Sequence, residues 1–137
     1  MLNKQRIIDS FNKQGLMKTL GAELVSIEEG KVSISCELSE KVSQQNGFFH
    51  AGALTSIVDS ACGYAGLSVM PDNADVLSVE FKINLMKPAN IEKVIAIGKV
   101  VQAGKTLVIC EGIITDPKEE KIYAKMMATM ICVRDKN

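Results

Sequence analysis

Asp59 is the one acidic residue in a run of small and apolar side chains from Ala51 to Ser68. Nine positions before it stands His50, the only histidine of the 137-residue chain. Four of the ten glycines, Gly47, Gly52, Gly63 and Gly66, fall in the same stretch, "QQNGFFHAGALTSIVDSACGYAG". A carboxylate so placed can take a proton from water or attack a carbonyl carbon itself. The residues ahead of it offer a complementary group. If "GFFHAG" is a loop and Ala51 opens a helix, the first backbone N–H groups lack intrahelical acceptors and carry the positive end of the helix dipole. Such a terminus polarises a carbonyl oxygen or holds an oxyanion. Together with a carboxylate about two turns further on, it suits hydrolysis of an activated acyl group. His50 has no cysteine or acidic partner at ligand spacing, so its expected role is to orient the turn into the helix.

The helix that must carry Asp59 is predicted over residues 51–68, about 27 Å at 1.5 Å per residue. At 100° per residue, Leu54, Ile57, Val58, Ala61 and Ala65 form one apolar stripe. Asp59 falls well off it, among Gly52, Thr55, Ser56, Gly63 and Gly66. A glycine inside a helix costs up to about 1 kcal/mol relative to alanine. Glycines beside a single carboxylate point to close approach by something outside the helix, either a second backbone or a thin ligand. The plainer alternative is that the small residues only let the helix nest against a neighbour, with Asp59 exposed.

The rest of the chain supplies the packing surface for that helix. Ile7, Ile8, Phe11 and Leu16 predict a short amphipathic helix over 3–17, with Gly15 near its end. "AELVSIEEGKVSISCEL" reads as a hairpin turning at Glu29-Gly30, and residues 39–50 as a loop. After Pro71-Asp72-Asn73 everything is strand-like. "VLSVEFKINLMK" sets Leu77, Val79, Phe81, Ile83 and Leu85 on one face and Ser78, Glu80, Lys82 and Asn84 on the other. "KVIAIGKVVQ", "KTLVICEGIIT" and "KIYAKMMATMICV" follow, separated by short turns. Short connections imply hairpin-linked, antiparallel strands. The predicted fold class is α+β: one long helix covering an antiparallel sheet of five or six strands, as a single domain over 1–137.

Composition narrows the function. Sixteen basic and sixteen acidic residues balance to zero net charge, and tryptophan is absent. Neither an electrostatic hold on nucleic acid or an anionic membrane nor a platform for stacking bases is expected. The N-terminal segment lacks the apolar core of a secretion signal, so a cytoplasmic location is expected. Cys36, Cys62, Cys110 and Cys132 form no CxxC pair and are read as buried thiols, not metal ligands.

The stretch from Gln44 to Asp59 resembles the hotdog-fold acyl-CoA thioesterases, in particular their PaaI-like group. Those proteins carry an N-x-x-G-x-x-H-G-G loop and an acid nine residues after the histidine. Gly47, His50, Gly52 and Asp59 match. Gln44 stands at the asparagine and Ala51 at the first glycine of the pair. "LSVEFKINLMKPA" is similar to the family's strand leading into a Pro-Ala turn. The resemblance implies hydrolysis of an acyl-CoA to free acid and coenzyme A. It also implies a homodimer, often paired into a tetramer, with sites at the subunit interface. There Asp59 would activate water or attack as nucleophile, and the Ala51 amide would polarise the thioester carbonyl. Gln44 would orient water or thioester and Ser78 would hold the water, with Gly47, His50 and Gly52 on the substrate-binding loop. No metal is implied, and no cofactor beyond the coenzyme A of the substrate. A non-catalytic acyl-CoA-binding or regulatory module on the same fold is the alternative, since Gln44 and Ala51 depart from the motif. Hydration of an enoyl thioester ranks lower, because His50 and Asp59 do not share a helix face.

Overall fold

Turn residues divide the chain close to where the alternation of apolar side chains predicts. The computed structural model describes residues 2–134. The N-terminal segment departs most from expectation, because it holds two helices. α1 spans Lys4–Asn12 and α2 spans Gly15–Leu20. Asn3 caps α1, its Oδ1 accepting from the Arg6 amide at 3.1 Å. Gln14 then adopts an extended backbone, and Gly15 opens the second helix instead of ending the first. This break puts Met17 in the core with Ile7 and Phe11, and leaves Leu16 in solvent.

β1 (Ala22–Glu28) and β2 (Lys31–Glu37) form the expected hairpin. α3 (Ala51–Leu67) is followed by β3 (Ala74–Leu85), β4 (Lys93–Ala103), β5 (Leu107–Thr115) and β6 (Ile122–Arg134). All six strands join one antiparallel sheet in the order β1-β2-β4-β5-β6-β3. The helix-on-sheet class is as predicted, but β3 and β4 are not hairpin partners. β3 is an edge strand paired only with β6. Residues 86–92 cross the end of the sheet to reach β4, and backbone hydrogen bonds pin them. The Met86 and Lys87 amides donate to the Tyr123 carbonyl at 2.9 and 3.1 Å. The Ala89 and Glu92 carbonyls accept from Phe49 and Leu38 at 3.0 and 2.8 Å.

α3 packs its stripe on the sheet, and Leu54, Ile57, Val58, Ala61 and Ala65 are all buried. Close approach does occur, but the glycines that permit it lie in the sheet. Gly98 of β4 and Gly112 of β5 are register partners beneath the middle of the helix. A Cβ on Gly98 would stand 2.3 Å from the Ala61 backbone, and one on Gly112 would stand 2.6 Å from Val58 Cγ2. Two further contacts fix the far end of α3. Ser68 Oγ accepts from the Gly30 amide at 2.7 Å and donates to the Ala65 carbonyl at 2.6 Å. The Arg6 guanidinium donates to the carbonyls of Leu67, Met70 and Pro71, a cation at the negative end of the helix dipole. The four cysteines are buried and unpaired. Among the described residues no helix is long and apolar enough to cross a membrane.

Candidate active site

One extra residue in β3 decides where Ser78 points. Ser78 pairs with Met130 and Glu80 with Thr129, so Val79 is a bulge with no partner on β6. A bulge shifts the side-chain alternation by one. Ser78 before it and Phe81 after it therefore face the same side as Met130 and Ala128, which are buried beneath α3. Unbroken alternation had put Ser78 opposite Phe81; the bulge corrects that reading. Leu77, grouped with Phe81 by the same reading, is turned outward and is 60% exposed.

Ser78 so placed meets the helix. Its Oγ donates to Asp59 Oδ1 at 2.7 Å and lies 3.4 Å from Met130 Sδ. Asp59 is half-buried on the flank of α3, above the edge strand, and not fully turned from the sheet. Burial pushes its carboxyl above the ordinary aspartate range, and the Ser78 hydrogen bond offsets this only in part. The pair opens into a groove of about 280 Å³ between α3 and β3, which Ser10, Gln14, Gly63, Tyr64 and Met130 help to line. Gly66, grouped with Asp59 on the helical wheel, lies instead in the core against Met130 and Met70.

The loop before α3 forms the other half. Gln44 Oε1 accepts from the Asn46 and Phe48 amides at 2.6 and 3.1 Å. The Gln44 carbonyl accepts from Gly47, whose φ of 85° glycine adopts without strain. The side-chain oxygen of Gln44 thus holds the loop, and its Nε2 makes no hydrogen bond among the described residues. His50 is the N-cap, its Nδ1 accepting from the Gly52 amide at 2.7 Å. That is the orienting role expected of it, and it also takes up the Gly52 donor. The exposed Ala51 amide has no acceptor among the described residues. Gln44, His50, Ala51, Leu54 and residues 85–89 line a second cavity of about 540 Å³, mostly apolar.

The structure therefore gathers the expected site residues into two groups. Asp59 and Ser78 meet in one cavity; Gln44, Gly47, His50, Ala51 and Gly52 build the loop at the other. Asp59 lies eight positions beyond Ala51, about 12 Å along the helix axis. Within one chain the two groups line separate cavities.

Residues 46–123 match the profile of the thioesterase superfamily. The chain belongs to that superfamily. This thioesterase is 33% identical over 107 residues to a 1,4-dihydroxy-2-naphthoyl-CoA hydrolase of Listeria monocytogenes, an alignment covering 77% of this chain and 86% of that protein. A thioesterase family protein from Silicibacter pomeroyi superposes with a TM-score of 0.92 at 36% identity, over 96% of this chain and 98% of that one. The PaaI protein of E. coli superposes at 0.85 over 98% and 94%, and at 19% identity that likeness is one of fold. The thioesterase has the hotdog fold, and its general chemistry is hydrolysis of an acyl thioester. Sequence reasoning missed Tyr64, Ser10, Gln14 and Met130 as neighbours of Asp59. A tyrosine among the small residues of the helix was the one available signal.

Proposed function

We propose that the thioesterase hydrolyses an acyl-CoA at a site made by two copies of the chain. Asp59 of one copy activates a water, or attacks the thioester carbon itself, while Ser78 holds its carboxylate in place. The Ala51 amide of the other copy binds the carbonyl oxygen as it becomes an oxyanion. The Gln44 Nε2 positions thioester or water. Coenzyme A enters as part of the substrate and leaves as its thiol. A name on a relative supports the choice of carrier, since the Listeria monocytogenes protein is called a CoA-thioester hydrolase. The observation that carries the reading is the 2.7 Å hydrogen bond from Ser78 to the raised-pKa carboxylate of Asp59, beside a groove open to a ligand. Membership of the superfamily favours hydrolysis over the non-catalytic binding role.

The test compares kcat/KM for wild type and Asp59→Asn on a panel of acyl-CoAs. Asparagine keeps the shape but neither takes a proton nor attacks. Turnover should fall by roughly 10²–10⁴. Agreement within a few-fold would remove Asp59 from the chemistry and return the binding role to first place.

A further inference from the structure

We infer that Met130 is a positioning residue of the active site: its thioether takes over the Ser78 hydroxyl proton for the part of the reaction in which Asp59 is protonated. This rests on Asp59 acting as the base, and it names the group that lets Ser78 follow Asp59 through the cycle.

Met130 is the register partner of Ser78 on β6, on the face beneath α3. It is fully buried, and its Cβ and Cγ seat against Gly66, each 3.6 Å from where a Cβ on that glycine would stand. Its Sδ then lies 3.4 Å from Ser78 Oγ, and among the described residues no other hydrogen bond reaches this sulfur. Asp59 Oδ1 lies 2.7 Å from the same hydroxyl. Two acceptors therefore flank a group with one proton to give. An ionised carboxylate is much the stronger acceptor, so the proton points to Asp59 in the resting site.

The reaction reverses that order. As water attacks, its O–H bond breaks, the proton passes to Asp59, and the hydroxide oxygen bonds to the thioester carbon. With the proton on Oδ1, Asp59 becomes a donor and Ser78 Oγ must accept. Ser78 does so by turning its own proton to Met130 Sδ, and all three groups stay hydrogen-bonded. When the C–S bond breaks, its electron pair leaves with the sulfur, the proton passes from Asp59 to that thiolate, and Ser78 turns back.

A buried methionine also fills space, as any apolar side chain of its volume would. The two roles differ in sign. Hydrocarbon in place of sulfur makes the surroundings of Asp59 less polar, which favours the neutral acid and raises the acid limb of kcat/KM. Losing the Ser78–Met130 hydrogen bond disfavours the neutral acid and lowers it. The other titratable groups around Asp59 are the same in every variant compared. Asp75 and Tyr64 share its groove, and Arg6, Asp9, Lys13 and Asp72 line the cavity beyond Ser10. Cys62 and Cys110 lie beneath the helix, where burial raises both thiols.

The experiment follows the acid limb of kcat/KM on the best acyl-CoA of the panel. Met130→Leu conserves volume. A second protein carries norleucine at all seven methionines, which keeps the shape of the side chain and removes only the sulfur. Both should move the limb to lower pH by about half a unit, the size of one weak hydrogen bond. Turnover should fall about three-fold. In a Ser78→Ala background the sulfur has no partner, and neither change should move the limb. The position of the limb does not depend on how much of the enzyme is folded. A limb that stays or rises in the Ser78 background, or an equal downward shift with Ser78→Ala, overturns the inference and leaves Asp59 as the base. Turnover by Asp59→Asn within a few-fold of wild type overturns both.

Discussion

The Asp59 carboxylate sits where burial outweighs its one hydrogen bond. Its folded pKa lies above its unfolded value, so the native chain holds the proton more tightly. Stability attributable to Asp59 then falls as pH rises from the ordinary carboxylate range through the raised value. Asp59→Asn removes that liability. It should melt higher than wild type at neutral pH, and the difference should vanish under acid conditions where both states of the wild type are protonated. Thermal melts across pH check this, and a neutral-pH melting point below wild type would contradict it. The same shift sets catalysis. A base must be ionised, so the acid limb of kcat/KM should lie above the aspartate reference of about 3.9. At this scale the sequence is legible where a residue breaks its surroundings. Asp59 stands out because nothing else in the helix is charged. Ser78 does not, and only the family resemblance points to it, because simple alternation puts it on the wrong face of its strand.

Packing between α3 and the sheet uses glycine in two opposite ways, and one substitution separates them. Gly98→Ala drives a methyl group into the Ala61 backbone, which cannot step aside as a side chain would. The cost should reach or exceed the upper end of the roughly 1–3 kcal/mol typical of overpacking. Gly63→Ala meets open space in a helix and should stabilise by about 0.5–1 kcal/mol. Urea unfolding of both variants reads the two signs, and two losses of similar size would refute the contrast. Most elements were legible because apolar alternation and turn residues repeat over many positions. The Val79 bulge was not, since an inserted valine among valines, leucines and phenylalanine leaves no mark on composition. The break between α1 and α2 was hidden for a related reason: Leu16 and Met17 are both apolar, and only tertiary packing chooses between them. Gly98 and Gly112 did carry a signal, as lone glycines inside strand patterns commonly mark close approach.

Across the whole molecule, the proposed site needs two copies, and this can be tested without seeing the dimer. Ala51→Pro deletes the amide proton at the first helical position, where proline is well tolerated. The preceding His50 already has the extended backbone that proline requires. The variant should fold and lose about 10²–10³ in kcat. Asp59→Asn should be inactive as well. Mixed subunits of the two should regain activity, because each mixed dimer rebuilds one site with Asp59 from one chain and the Ala51 amide from the other. If mixing restores nothing while subunits demonstrably exchange, the site is not shared. The sheet order has a kinetic consequence. β3 hydrogen-bonds to β6 alone, across pairs as distant as Ala74 and Arg134. Long-range pairings of this kind form slowly, because a large loop must close before any contact rewards it. Ser78 cannot reach Asp59 until β3 has docked. On dilution from urea, hydrolysis should therefore return with the slowest phase of the circular dichroism signal, lagging behind the hairpins β1–β2 and β4–β5, and activity that appears ahead of that phase would show that the strand is held in place by something other than its neighbour.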